Sequence, residues 1–341
     1  MIHRMSSFVA EISANHNGNL NTAIELVTAA KECGANYVKF QTYKPETMTL
    51  PLSQFSVEDG HQLWSGRNLF DLYQDAMTPW EWHRELFEHA RSIGIVPFSS
   101  PFDRSAVDFL EDLGCPIYKI ASLETGDLDL IRYVANTKKP LIVSTGATSI
   151  SEIEELITVA ENAGNKELTL LVCTSSYPTT LENSHIARIK TLQKLFGKPV
   201  GLSDHTKGIS TSIVAISLGA TIIEKHITLD RALGGLDSEF SLEPNEFKLL
   251  INLCNEAEIS LGNPEWRVID TEDSSRKLRR SLYIVEDVRK GEIATRKNVK
   301  SLRPNLGGPI RDLDYILGKK FRDSFKAGNA ATRDCVYEDS F

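Results

Sequence analysis

The chain has 341 residues, 41% hydrophobic and 25% charged, with a formal net charge of -8. That composition can build a sizeable core, and the length suits one large domain followed by a small one. The negative balance speaks against nucleic acid or an anionic membrane surface as a partner, because neither gains from a repulsive mean field. Five cysteines, at 33, 115, 173, 254 and 335, are scattered without a CxxC pair, the pattern of reduced thiols. Strand-like sequence is reached by Phe8, so no signal peptide is expected. No apolar run approaches the roughly 20 residues that span a bilayer. The expectation is a cytoplasmic protein with no membrane partner.

From the N-terminus one cadence repeats: a short β-branched or aromatic run, a polar loop, an amphipathic helix. The runs fall at 8–13, 37–43, 95–99, 117–122, 141–145, 168–174, 200–204 and 221–227. They are apolar without clean alternation, as strands buried on both faces are. Helical patterns lie between them, for example at 22–33, 79–92 and 151–163, with Gly34 and Gly94 as stops. Eight such units within residues 1–265 predict a (β/α)8 barrel of the TIM type. An open doubly wound sheet is the alternative, weakened because no Gly-rich dinucleotide fingerprint follows the first strand.

Two segments break the cadence. Residues 44–77 form a long insertion carrying Phe55, Trp64, Arg67, Phe70 and Tyr73, which reads as a lid or as a structural flap. Residues 266–280 read as a linker, and 281–341 as a small β-rich domain with runs at 281–285 and 294–299 and a Gly/Pro-rich stretch at 303–310.

Active sites of such barrels form at the C-terminal ends of the strands. Those ends carry Glu11, Lys39 and Gln41, Ser99 and Ser100, Lys119 with Ser122 and Glu124, Ser144 and Thr145, Ser175 and Tyr177, Ser203 and His205, and Glu224 with His226. His205 and His226 end neighbouring strands, which lie about 4.8 Å apart, so the two imidazoles can share one ion. Two histidine ligands leave positions open for water and substrate oxygen, which suits a Lewis acid and not a closed structural site. Lys39 and Lys119 interrupt apolar strands, and a buried ammonium is costly without an anion to meet it. Either they clamp a phosphate and a carboxylate with the serine hydroxyls, or they pair with a barrel glutamate such as Glu11 or Glu124. A Schiff-base role for one lysine is a further option. Glu11 and Glu124 are candidates for proton handling. Asp237 lies in a glycine-containing loop after the last strand, where turn chemistry is the simpler explanation.

The motifs Ala10-Glu11-Ile12-Ser13-Ala14-Asn15-His16-Asn17-Gly18, Val38-Lys39-Phe40-Gln41-Thr42, Ser99-Ser100-Pro101-Phe102-Asp103, Lys119-Ile120-Ala121-Ser122, Ser203-Asp204-His205-Thr206 and Glu224-Lys225-His226 resemble those of the sialic acid synthase family. The tail, with Lys290-Gly291-Glu292 and Ser301-Leu302-Arg303-Pro304, is similar to that family's antifreeze-like (SAF) domain. The resemblance implies condensation of phosphoenolpyruvate with the open aldehyde form of an amino sugar, releasing phosphate by C–O cleavage. It implies a divalent ion, manganese first and magnesium or cobalt as alternatives, on His205 and His226. Glu11, Lys39, Lys119 and Glu124 become the catalytic candidates. Ser100, Ser122, Ser144 and Ser203 match the phosphoenolpyruvate site. Gln41, Ser175, Tyr177 and Asp237 match positions near the sugar. Arg303 matches an arginine that one subunit of a domain-swapped homodimer delivers to its partner.

Three further segments, 63–73, 78–82 and 234–242, look like the branch of the family that makes pseudaminic acid. The acceptor of that branch is 2,4-diacetamido-2,4,6-trideoxy-L-altrose. The sequence departs from the N-acetylneuraminate-making branch at Ser175, where that branch often carries Asn, and at Ser238, where a His is common in related synthases. The alternatives are the same chemistry on the neuraminate or legionaminate precursor, a Schiff-base aldolase, and a non-catalytic carbohydrate-binding protein.

Overall fold

The computed structural model describes residues 6–57 and 63–338, and the chain divides into two compact units, Met1–Gly262 and Asn263–Phe341. The first unit is a closed barrel of eight parallel strands paired in chain order. They are β1 (Ser7–Glu11), β2 (Tyr37–Thr42), β3 (Val96–Pro101), β4 (Tyr118–Ile120), β5 (Leu141–Ser144), β6 (Leu168–Cys173), β7 (Val200–Asp204) and β8 (Ile222–His226). The barrel closes where β1 pairs with β8, Glu11 lying opposite His226. Outer helices begin with α1 (Leu20–Cys33), whose first turn is capped by the Asn19 side chain accepting from the Thr22 amide. That cap starts the helix two residues before the expected position 22.

Inside the insertion lie α2 (Pro45–Met48) and α3 (Leu69–Ala76), followed by α4 (Trp80–Ser92) and α5 (Arg104–Asp112). The remaining helices are α6 (Leu128–Asn136), α7 (Ile150–Asn162), α8 (Arg188–Phe196), α9 (Ser210–Ser217) and α10 (Pro244–Leu261). A reciprocal cap between Ser149 and Glu152 starts α7.

Six of the eight strands are shorter than the sequence reading, β1 and β4 among them. β1 stops at Glu11, because Ser13 opens a 3₁₀ turn (Ser13–His16) with φ of 46°. β4 holds only three residues, and Ser122 belongs to the 3₁₀ turn that follows.

Side-chain alternation along the strands decides which groups reach the barrel interior. Register pairs Glu11 with Lys39 and Ser203 with Glu224, so these point inward together. Their neighbours Asp204 and Lys225 are also in register and point outward, into the layer beneath the helices. There Lys225 Nζ lies 3.1 Å from Asp204 Oδ2 and donates to the Thr206 carbonyl. The Asp204 carboxylate also accepts from Thr206, Thr211 and Ser212 hydroxyls, each at 2.7 Å. A buried ion pair persists only when its remaining hydrogen-bonding capacity is filled this way.

The second unit has its own core of Leu282, Ile284, Val288, Val299, Ile316 and Phe321. Strand β9 (Ser281–Ile284) pairs antiparallel with β10 (Val299–Leu302). The expected run at 294–299 gives way to a turn, where Asn298 accepts from the Thr295 amide, and the strand starts only at Val299. Gly308 is required by packing: a Cβ there would sit 1.7 Å from the Ala331 carbonyl oxygen. The expected linker contains a short helix, α11 (Asp273–Lys277). Among the described residues no helix is long and apolar enough to cross a membrane.

Candidate active site

The C-terminal mouth of the barrel opens into a cavity of about 440 Å³. Its floor is an ion-pair cluster. Lys39 Nζ lies 2.8 Å from Glu11 Oε2 and 2.9 Å from Glu224 Oε1. Lys119 Nζ donates to Ser144 Oγ at 2.7 Å and lies 3.6 Å from Glu224 Oε1, which also accepts from Ser203 Oγ at 3.0 Å. Burial brings the Lys39 ammonium down to about 8; Glu224 opposes that shift and Lys119 adds to it. Burial alone would raise the Glu224 carboxyl, but the Lys119 and Lys39 ammoniums hold it well below the usual carboxylate range.

The glutamates that meet the buried lysines are therefore Glu11 and Glu224, and not Glu124. Glu224 stood at a strand end in the sequence without an assigned role. Its signal was parity: it alternates with His226 and so shares the inward face.

Above the floor stand Ser122, Ser144, Ser175 and Ser203, all lining the cavity. They crowd because β5 is followed by Gly146, whose amide donates to Ser122 Oγ at 3.1 Å. A Cβ at Gly146 would lie 2.3 Å from Ser175 Oγ and 2.8 Å from Ser122 Oγ. Ser175 Oγ has no hydrogen-bond partner in the protein. Ser100 is buried in register with Gln41 but does not line the cavity, and its Oγ is likewise unpartnered. Arg303 lies exposed in the second unit, just past β10.

His226 ends β8 and His205 follows β7, with ring centroids 5.4 Å apart and both rings buried. Burial, with His205 and Lys39 nearby, keeps His226 well below the ordinary imidazole range, in the neutral form that binds metals. Its Nδ1 has no hydrogen-bond partner and lies 3.7 Å from Asp237 Oδ2. His205 Nδ1 faces the Thr174 carbonyl at 3.3 Å and Cys173 Sγ at 3.7 Å. Among the described residues no three His, Cys, Asp or Glu side chains converge as a metal cage. The orphaned buried nitrogen beside a second imidazole and a carboxylate fits an open divalent site completed by water and substrate, and does not fit a closed one.

The insertion forms one wall. Leu69, Leu72, Tyr73 and Ala76 of α3 line the cavity, joined by Tyr43 and Phe102. Of the four aromatics noted in the insertion, Trp64 and Tyr73 reach the cavity, whereas Phe55 and Phe70 do not. Trp64 packs on Tyr177 with centroids 5.6 Å apart and donates its indole N–H to the Leu236 carbonyl at 3.2 Å. Arg67 is engaged by Asp75 at 2.5 Å. Glu124 faces this wall with Oε2 unpartnered, and burial pushes its carboxyl up to about 7. On the opposite side Gln41 Nε2 donates to Glu11 Oε1 at 3.2 Å and to Ser13 Oγ at 3.0 Å. Asp237 is buried on the cavity rim, facing the Ser13 hydroxyl and the Ala14 amide. Ser13 and Cys173 line the cavity without having been assigned a role from sequence.

A NeuB family pattern matches residues 26–265 and a SAF domain pattern matches residues 279–336. The chain belongs to the NeuB family. Within that family it is 43% identical to the pseudaminic acid synthase of Helicobacter pylori, over 96% of this chain and 97% of that one. It is 40% identical to a pseudaminic acid synthase of Campylobacter jejuni, over 94% of each chain. Among solved structures, an N-acetylneuraminic acid synthetase from Leptospira borgpetersenii superposes with a TM-score of 0.73 at 30% identity, covering 80% of this chain and 90% of that one. The barrel and the SAF unit of this NeuB chain thus have the fold expected from its motifs.

Proposed function

We propose that the protein is a pseudaminic acid synthase, condensing phosphoenolpyruvate and water with 2,4-diacetamido-2,4,6-trideoxy-L-altrose and releasing phosphate. The observation that carries this reading is likeness at 43% and 40% identity, over nearly the whole of both chains, to two proteins of that activity. The cavity supports it. A hydroxyl-rich floor that offers the Lys39 and Lys119 ammoniums suits a three-carbon phosphate and carboxylate, while the apolar wall of α3, Tyr43 and Phe102 suits a deoxy sugar bearing acetamido methyls. The relatives' shared chemistry speaks against a Schiff-base aldolase and against a non-catalytic binding protein.

In this reading Lys119, Ser122, Ser144 and Ser203 hold the phosphate and carboxylate oxygens, with Lys39 alongside. C3 of phosphoenolpyruvate bonds to the aldehyde carbon, leaving a cation at C2 to which water adds. Glu124 takes the proton that water loses, since a carboxyl near 7 exists in both forms at neutral pH. Phosphate then leaves with the electron pair of its bond to C2 and takes the proton of the C2 hydroxyl, so that C2 becomes a ketone, while the proton held by Glu124 passes to the oxygen that was the aldehyde's. Glu11, Gln41, Tyr177 and Asp237 orient the sugar. A divalent ion on His205 and His226, manganese by preference, would withdraw electron density from the aldehyde oxygen.

The further expectations are a cytoplasmic homodimer in which Arg303 of one subunit completes the partner's site. The function is tested by measuring phosphate release from phosphoenolpyruvate with manganese and each candidate sugar. Turnover of the L-altrose derivative is expected; turnover confined to N-acetylmannosamine or the legionaminate precursor would replace the sugar assignment.

A further inference from the structure

Ser13 adopts a backbone conformation that a serine disfavours. Its φ of 46° lies in the left-handed region, where glycine is at ease and a Cβ is crowded by the backbone. The residue is buried at the cavity rim, so no solvent contact explains the side chain. What explains it is the hydroxyl. Ser13 Oγ accepts from Gln41 Nε2 at 3.0 Å, and it faces the Asp237 carboxyl across the cavity edge. A hydroxyl carries one donor proton and two lone pairs, so it can accept from the amide and donate to the carboxylate at once. Glycine would ease the backbone and leave both groups without that bridge.

The surrounding turn serves the same end. Asn15 Nδ2 donates to the Ile227 carbonyl and to Ser241 Oγ, both at 2.8 Å, and Ser241 Oγ donates to the Asp237 carbonyl at 2.6 Å. The turn after β1 therefore grips the loop after β8 at the residue that carries the carboxylate.

We propose that Ser13 is a positioning residue, kept in a strained backbone so that its hydroxyl aims Gln41 and Asp237 together at the sugar acceptor. This deepens the function proposed above, on which the identity of the oriented group rests. Backbone strain of this kind persists at functional sites because the surrounding structure over-determines it.

The test compares the unaltered enzyme with full-length Ser13→Gly and Ser13→Ala. Glycine takes up a φ of 46° without strain, so Ser13→Gly is expected to melt at or above the unaltered protein and above Ser13→Ala. Both variants are expected to lose about ten-fold or more in kcat/KM for the sugar, with KM for phosphoenolpyruvate within about two-fold. Ser13→Gly with undiminished kcat/KM for the sugar would overturn the proposal, as would equal losses toward both substrates. A Ser13→Gly protein less stable than Ser13→Ala would remove the strain argument. The assay uses whichever amino sugar the unaltered enzyme turns over, so failure of the L-altrose assignment leaves the comparison intact. Should none be turned over, unchanged positions of Gln41 and Asp237 in a Ser13→Gly crystal structure overturn the proposal, and displaced ones uphold it.

Discussion

Glu124 differs from Glu11 and Glu224, the other glutamates of the cavity, in making no ion pair with a lysine; burial is the main influence on its carboxyl, pushing it from 4.5 to about 7 against the smaller opposing pull of Lys119. If it takes a proton from the reacting water, kcat/KM should rise as pH passes through about 7, and Glu124→Gln should lower activity and flatten that rise. A profile unchanged in Glu124→Gln would assign the proton elsewhere. Stability carries the opposite sign. A raised carboxyl favours the protonated native state, so its contribution is complete below about 4.5 and lost as pH climbs through about 7. Glu124→Gln should therefore show a smaller fall in melting temperature across that window. At this scale the sequence revealed residue types better than partners. His205, His226 and both lysines were legible because charged or metal-binding groups interrupt apolar strands. Glu224 was visible but unassigned, because its role comes from two lysines far away in sequence and meeting only through the closed barrel. Ser13 was hidden for a different reason: a left-handed serine leaves no compositional trace.

Among the elements, the strands were readable as apolar runs and their helices from caps and glycine stops. Their ends moved by a residue or two where a side-chain cap or a left-handed residue overrode propensity, as at Asn19 and Ser13. The helix α3 is instructive, because the cavity-lining residues 69, 72, 73 and 76 follow the i, i+3, i+4, i+7 spacing of a single helical face. That pattern was present in the insertion, but eight residues flanked by loops made it weak. The outward layer behind β7 and β8 allows a prediction independent of catalysis. Asp204→Ala leaves Lys225 buried and unpaired, which should cost about 3–5 kcal/mol in chemical denaturation. Adding Lys225→Met should recover part of the loss; a near-neutral single variant would show that the pair is not what holds these strands together.

At the scale of the whole molecule, the cavity belongs to the first unit, and Arg303 belongs to the second. If that arginine serves a neighbouring subunit, Arg303→Ala and His226→Ala should each be inactive alone. Co-expressed, they should regain roughly a quarter of the unaltered activity, because half of randomly assembled dimers carry one intact site of two. No recovery despite proven mixed dimers would confine each site to its own chain. Nothing in the composition points to such an arrangement; the expectation rests on the resemblance of the tail alone, since a site shared between chains would leave no periodicity within one of them.

The tripeptides Ser203-Asp204-His205 and Glu224-Lys225-His226 each send their outer members into the cavity and their middle member into the layer behind it. Chemistry and scaffold are thus interleaved on the same three residues, and parity alone keeps them apart. Substitutions here would damage one role at a time. A single-residue insertion or deletion within either strand would exchange the two, presenting the lysine or aspartate to substrate and sending the histidine toward the helices. In a scan of length variants these strands should behave as frame-dependent text, intolerant of a shift by one, whereas the surface loops accept it.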